Sequence, residues 1–340
     1  MRFSFIAVAR PLCGILAAVS IIAGAVGEIA AETWAERLGY PADAKVLILH
    51  AGEMGLAYET NAAGEKLLES GVAASAAAMA PAPWFSDFAA WAKGRPGVDA
   101  GLELTLNSEL KNHRWRPAAS DGLTASLVDA DGYLWQTPLQ TSSNALAEDV
   151  ECELRGQIAR AKGSGFRPTH LSSHLGTLFE RPDLIDAYLR VAREQWIPAA
   201  VVELTPEILD RLAQDGYPLP EDVIATIEEY PLPKLDGLRF VPDGENYEAK
   251  KHALLTLISE LPAGLTQLEF RPALASDALP RMVADAQQRN WDADLLADEE
   301  VLQALRGEGI ILTDWQEVMR RFEGQGAADA LPAAQATETR

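Results

Sequence analysis

The chain has 340 residues, 48% of them hydrophobic, enough to bury the core of one large α/β domain. Its formal net charge is −21 and its pI is near 4.6, which argues against nucleic acid or an anionic membrane surface as a partner. The acidic residues are spread along the chain rather than blocked, as on a solvated surface.

The N-terminus is different in kind. Arg2 and Arg10 precede an uncharged apolar run from Leu12 to Val26, and small residues continue to Ala30-Ala31. A charged region, an apolar region and small-residue cleavage sites predict an export signal over 1–31, cut somewhere in 25–31. The expected product is periplasmic or secreted, without stable membrane insertion. Cys152 would be its only cysteine, which excludes an internal disulfide.

Residues 45–50 form a continuous apolar run of strand length, ending in the loop Ala51-Gly52-Glu53-Met54-Gly55. A helix is expected over 57–68, an Ala-rich strand over 72–79, and a helix over 81–93 with Trp84, Phe88 and Trp91 on one buried face. Residues 99–107 alternate as a third strand, with Leu102, Leu104 and Leu106 on one face and Glu103 and Thr105 on the other. A carboxylate in mid-strand is expected where a strand lines a barrel mouth or a polar cleft. Residues 111–140 are rich in Trp, Pro, Gly and Asp with little periodicity, and read as a long insertion over one face. Leu146, Val150, Leu154 and Ile158 then form a helical stripe.

That helix leads to the segment 167–177, which holds His170 and His174, two of the chain's five histidines. A short strand running into a Gly-containing loop places both imidazoles at a strand end. They are material for a metal or sugar site, or else one structural and one surface histidine. Beyond them, helices are expected over 182–194, 206–214, 246–260, 277–290 and 315–322, and strands over 199–203, 265–270 and 310–312. The tail 324–340, rich in Ala and Gly, reads as disordered. Alternating strands and helices predict a parallel α/β barrel or doubly wound sheet, a single domain over 32–323. Glu53, Glu103, His170, His174 and Arg271 would converge at the C-terminal ends of its strands.

Four segments resemble one family. Leu49-His50-Ala51-Gly52-Glu53-Met54-Gly55, Gly101-Leu102-Glu103-Leu104-Thr105-Leu106, Pro168-Thr169-His170-Leu171-Ser172-Ser173-His174 and Glu269-Phe270-Arg271-Pro272 are similar, in order, to the motifs of the YdjC-like (ChbG/HpnK) carbohydrate deacetylases. The resemblance implies a distorted (β/α) barrel of the carbohydrate deacetylase type and metal-dependent hydrolysis of acetamido groups on sugars. In the family pattern an Asp-Asp pair supplies first a general base and then a metal ligand, and two later histidines complete the metal site. Here the base position is Gly52, the metal Asp is Glu53, the first metal His is Glu103, and the second is retained as His174. His170 is also retained, the Asp between the histidines is Ser172, and the late His is Arg271.

Two arrangements are compatible with these changes. Glu53, Glu103 and His174 would hold a divalent metal (Mg, Mn or Zn), the two carboxylates favouring the harder Mg²⁺ or Mn²⁺. Alternatively, Arg271 would take the metal's place between Glu53 and Glu103, leaving a metal-free site. His170 and Arg271 are the candidate catalytic side chains. Trp115, Tyr133 and Trp135 of the insertion are candidates for sugar stacking or for simple packing, and Ser172 for substrate binding. The expected function is therefore a carbohydrate deacetylase-like hydrolase of acetylated saccharides. The alternatives are a carbohydrate-binding pseudoenzyme on the same fold and a hydrolase of a non-sugar amide.

Overall fold

The computed structural model describes residues 32–329 apart from 73, 121 and 215–217. The expected signal over 1–31 and residues 330–340 of the tail lie outside the described residues. In chain order the first half holds α1 (Trp34–Arg37), β1 (Lys45–Met54), α2 (Tyr58–Ser70), β2 (Ser75–Ala78), α3 (Phe85–Lys93), β3 (Ala100–Leu104), α4 (Pro138–Asn144), α5 (Ala147–Gly163) and β4 (Leu171–Ser173). The second half holds α6 (Pro182–Gln195), α7 (Pro206–Gln214), α8 (Glu221–Glu228), β5 (Gly237–Phe240), α9 (Tyr247–Ser259) and β6 (Gly264–Phe270). It ends with α10 (Leu279–Met282), α11 (Ala286–Leu295), α12 (Glu299–Gly307), β7 (Ile311–Leu312) and α13 (Trp315–Asp329).

β1 is the strand the others are built on. Its partners β2, β6 and β7 are all parallel to it. Leu47 and Leu49 pack outward with Leu254, Ile258, Leu268 and Phe270, while Val46 and Ile48 pack inward with Leu235, Leu265 and Trp315. Burial of both faces is what a continuous apolar run without polar alternation requires. The seven-stranded sheet follows the order β4-β3-β2-β1-β6-β5, with β7 beside β1.

The two outer strands of that path are joined through residues 199–203. Leu171 N–H donates to Pro198 O, Ala200 N–H to Leu171 O and Glu203 N–H to Leu235 O, each at 2.8 Å. Isolated bridges Leu171↔Ala199 and Val202↔Leu235 mark the same contacts. A full strand was expected here. Bridges alone form, so the (β/α) barrel closes through an irregular segment and is distorted. One end of the barrel is plugged by Trp315, fully buried, whose indole donates to Gln267 Oε1 at 2.8 Å and whose backbone N–H donates to Asp99 Oδ2 at 3.0 Å.

Several elements depart from expectation for local reasons. Residues 81–84 form a turn rather than helix, so Phe88 is buried while Trp84 lies outside the core and packs against Tyr58. The stretch 277–290 is broken at Val283, which is extended (φ −121°, ψ 142°), and the break turns the start of α11 toward the site. α8, which buries Val223 and Ile227 one turn apart, and the four-residue β5 are elements absent from the expected order. α13 continues through Asp329, past the start of the expected tail. The insertion 111–140 is firmly packed. Leu127 and Leu134 are fully buried, and the Glu153 carboxylate of α5 accepts from the N–H groups of Ala118 and Ala119 at 2.8 and 2.9 Å.

Candidate active site

A cleft of about 390 Å³ opens at the C-terminal ends of the strands, lined by Gly52, Glu53, Glu103, Ser172, Glu269 and Arg271 together with Phe179 and Phe240. This is where a parallel barrel places its chemistry.

β1 ends in a register shift between Ala51 and Met54, and Glu53 there has φ +63°. A left-handed backbone is uncommon for a residue with a side chain and marks a position over-determined by its surroundings. Here it aims the Glu53 N–H at Glu103 Oε2, 2.6 Å away. Glu103 projects from β3 beside its register partner Ser172 on β4, and its other oxygen lies 2.7 Å from His174 Nδ1. His174 sits at the head of a tight turn in which Leu175 (φ 51°) and Gly176 (φ 70°) are both left-handed. Its Nε2 faces Glu109 at 3.2 Å. One donor atom each from Glu53, Glu103 and His174 lies within 4.8 Å of the other two, and all three residues are buried.

The charges are strongly coupled. Burial pushes the Glu53 carboxyl up, but Arg289, His174 and Arg271 overcome it and hold it at about 2. Arg289 Nη1 is 2.5 Å from Glu53 Oε2, a close ionic contact without hydrogen-bond alignment. Burial pushes the His174 imidazole down, but the carboxylates of Glu109 and Glu103 raise it well above its ordinary value. Without an ion, a proton on His174 offsets part of the charge of Glu103 and Glu109.

A family model described as YdjC-like protein matches residues 46–307. The chain belongs to this YdjC-like family. A carbohydrate deacetylase of Thermus thermophilus is 35% identical over 272 residues, covering 79% of this chain and 92% of that relative. A carbohydrate deacetylase of Thermoanaerobacter pseudethanolicus is 25% identical over 271 residues, covering 80% of this chain and 98% of that relative. Among solved structures, a protein of Enterococcus faecalis V583 provisionally described as a cellobiose-phosphate cleavage protein superposes with a TM-score of 0.67 at 22% identity. It covers 81% of this chain and 99% of its own, and it supports the fold.

Within this YdjC-like fold, Glu53, Glu103 and His174 come together at the cleft, and Ser172 lines it. Arg271 also lines the cleft, but it does not lie between Glu53 and Glu103. Its Nη1 is 4.0 Å from Glu53 Oε1 and turned toward Asp285 at 3.4 Å, with the residue's side chain 40% exposed. The guanidinium in close contact with Glu53 belongs to Arg289 of α11. All three sugar-stacking candidates need correction. Trp115 is 4% exposed with its indole N–H on Asn107 O, and Trp135 donates to Ser126 O. Both pack under the insertion and neither lines the cleft, whose aromatic walls are Phe179 and Phe240. Tyr133 likewise packs within the insertion, beneath Arg114 and Arg116.

His170 lies below the cleft and does not line it, so it is not placed to touch a substrate. It is fully buried and stacks on Trp315 at 5.5 Å. Its ring sits so close to β3 that a Cβ on Gly101 would come within 2.5 Å of it. His50 points inward as well. Its Nδ1 is 2.7 Å from Glu269 Oε2 and its Nε2 is 2.9 Å from His170 Nε2. Burial depresses both imidazoles, but Glu269 reverses this at His50, while burial and the His50 charge keep His170 well below its ordinary value. A proton taken up by the pair is therefore favoured on His50 over His170, and His50 would then donate to Glu269 from Nδ1 and to His170 from Nε2.

Sequence reasoning did not single out Glu109, Arg289, His50 or Glu269 as site residues. The last had a usable signal: Gln267 and Glu269 are polar at period two, flanking the apolar Leu268 and leading to Phe270.

Proposed function

We propose that the chain is a divalent-metal-dependent hydrolase of acetylated saccharides, with Glu53, Glu103 and His174 holding the ion. The observation that carries this reading is the convergence of three buried donor side chains at the mouth of a strand-end cleft. The donor set fits a cation. Two carboxylates and one imidazole satisfy a divalent ion, and Glu109 on the far ring nitrogen is the outer partner that orients a ligating histidine. Two oxygen donors against one nitrogen favour Mn²⁺ or Mg²⁺ over Zn²⁺. Bound there, the ion would polarise the acyl carbonyl and acidify a water. The protein's own contributions are a hydrogen-bonded carboxylate frame, an Arg271 guanidinium on the cleft wall, and aromatic surfaces at Phe179 and Phe240 for a sugar ring. The reading extends to an exported protein, on the strength of residues 1–31.

A second reading, a saccharide-binding pseudoenzyme, is favoured by Gly52, which offers no side chain at the family's base position. One experiment separates the two. Bound divalent metal is measured on the purified chain, and acetate release from acetylated chito-oligosaccharides is followed with and without added Mn²⁺, Mg²⁺ or Zn²⁺. Stoichiometric metal with metal-dependent acetate release supports the hydrolase. Saccharide binding with neither metal nor acetate release supports the pseudoenzyme.

A further inference from the structure

We propose that Glu269 on β6 is the catalytic acid–base residue of this chain, its carboxylate entering from the neighbouring strand the space left open at Gly52. The inference rests on the hydrolase reading above and adds the group that reading lacks.

Three observations converge on it. A Cβ built on Gly52 would lie 3.4 Å from Glu269 Oε2 and 3.5 Å from Glu103 Oε2. A side chain at position 52 would therefore project between these two carboxylates, and Glu269 already stands at the edge of that space. Gly52 itself has no positive φ, so its backbone does not demand glycine; what a side chain would meet there is the Glu269 carboxylate. Second, Glu269 reaches the cleft. It lines the cavity with Glu53 and Glu103, and its side chain is 13% exposed, buried enough to be held and open enough to meet a water or an amide. Third, the carboxylate is oriented from behind. Oε2 accepts from His50 Nδ1 at 2.7 Å, and Oε1 accepts from Gln267 Nε2 at 2.6 Å. Gln267 is held in turn by the indole of Trp315 through its own oxygen, and His50 by His170. A base fixed by a second layer of hydrogen bonds loses little freedom on reaching its transition state.

The register explains how the exchange is possible. His50 and Glu269 are direct partners on β1 and β6, so a carboxylate on β6 can serve a position two residues further along β1. In the reaction, Glu269 takes a proton from the attacking water as the water oxygen bonds to the acyl carbon. When the C–N bond breaks, Glu269 returns that proton to the departing nitrogen, giving the amine and acetic acid, whose remaining proton passes to the amine or to water to leave acetate. One carboxyl group performs both transfers, which suits a site where the late position, Arg271, cannot release a proton.

The test uses the full chain with acetylated chito-oligosaccharide as substrate. Glu269→Gln is expected to lower kcat on the order of 10²- to 10⁴-fold, with KM and bound metal close to wild type. The double variant Gly52→Asp with Glu269→Gln should recover about tenfold or more of that loss, because the carboxylate returns to the same space from β1. Should Glu269→Gln fold poorly, Glu269→Ala with added formate supplies a second measurement, since a small carboxylate restores a missing base and does nothing for a missing strut. A kcat for Glu269→Gln within about threefold of wild type overturns the proposal, as does failure of both the second-site carboxylate and formate to restore turnover in folded protein. An inactive wild type overturns the hydrolase reading and this assignment with it. An active wild type with an equally active Glu269→Gln overturns the assignment alone.

Discussion

The Glu53 backbone N–H donates to Glu103 Oε2 at 2.6 Å, so the two acidic residues are joined backbone to side chain rather than held apart by repulsion. The left-handed turn at Glu53 makes this possible, and it sends the two carboxylates toward His174 from different strands. Glu103 is the pivot, one oxygen on Glu53 N–H and the other on His174 Nδ1. Glu103→Gln keeps the shape but removes the charge. We expect it to weaken Mn²⁺ binding by at least about tenfold, read by calorimetry on the metal-stripped chain, and to lower that chain's melting temperature, because buried His174 loses one of its two carboxylate partners. Unaltered Mn²⁺ affinity would remove Glu103 from the ligand set.

Acid sensitivity follows from Glu53. Its carboxyl titrates near 4.5 in the unfolded chain and at about 2 in the fold, where burial opposes the charge and Arg289, His174 and Arg271 stabilise it. Between those values the unfolded state binds more protons than the folded state. The contribution of this group is therefore complete above pH 4.5 and lost as pH falls toward 2. It amounts to something on the order of 3 kcal/mol in the metal-free chain. Urea midpoints taken through this window should fall steeply for wild type and more shallowly for Glu53→Gln. The variant should also start lower at neutrality, because Arg289 keeps only Asp285 as a carboxylate partner. Parallel curves for the two proteins would contradict the Glu53–Arg289 coupling.

Gly101 tests the floor of the site. A Cβ there would fall 2.5 Å from the His170 ring, and Trp315 on the ring's face leaves it little room to retreat. Gly101→Ala is expected to destabilise the fold by about 1–3 kcal/mol and to lower the melting temperature accordingly. An unchanged melting temperature would mean that the His170 layer is soft. The relay from Glu269 through His50 would then lack its rigid end.

What could be read in advance follows physical range. Glu53, Glu103 and His174 sit near strand ends, where a strand-length run, apolar throughout in β1 and alternating in β3, gives way to a loop and so marks the strand and its last side chains. The barrel is legible for the same reason, since strand–helix alternation is a local signal. Arg289 is not legible in this way. It belongs to α11, and only the break at Val283, with no Gly or Pro at that point, brings it to Glu53 from far along the chain. Trp115 and Trp135 show the reverse failure. Aromatics in a long polar insertion resemble a sugar platform, but whether they face the cleft depends on Asn107, Ser126 and Glu153 anchoring the loop, and these are tertiary contacts. Phe240 is not legible either, because β5 is only four residues long and follows the turn-forming stretch with Pro231 and Pro233.

Phe240 gives the last prediction. It is 45% exposed and lines the cleft, so it offers an open aromatic face that a ligand ring can cover. A sugar ring stacked there would be held before and during the reaction alike, so the contact contributes to binding rather than to turnover. Phe240→Ala is therefore expected to raise KM for acetylated chito-oligosaccharide by about five- to tenfold, with kcat within about twofold of wild type. Because the ring is half in solvent, unfolding stability should move by no more than about 0.5 kcal/mol. A fall in kcat at constant KM would instead place Phe240 against the reacting acyl group, and the sugar would then have to lie along the Phe179 wall.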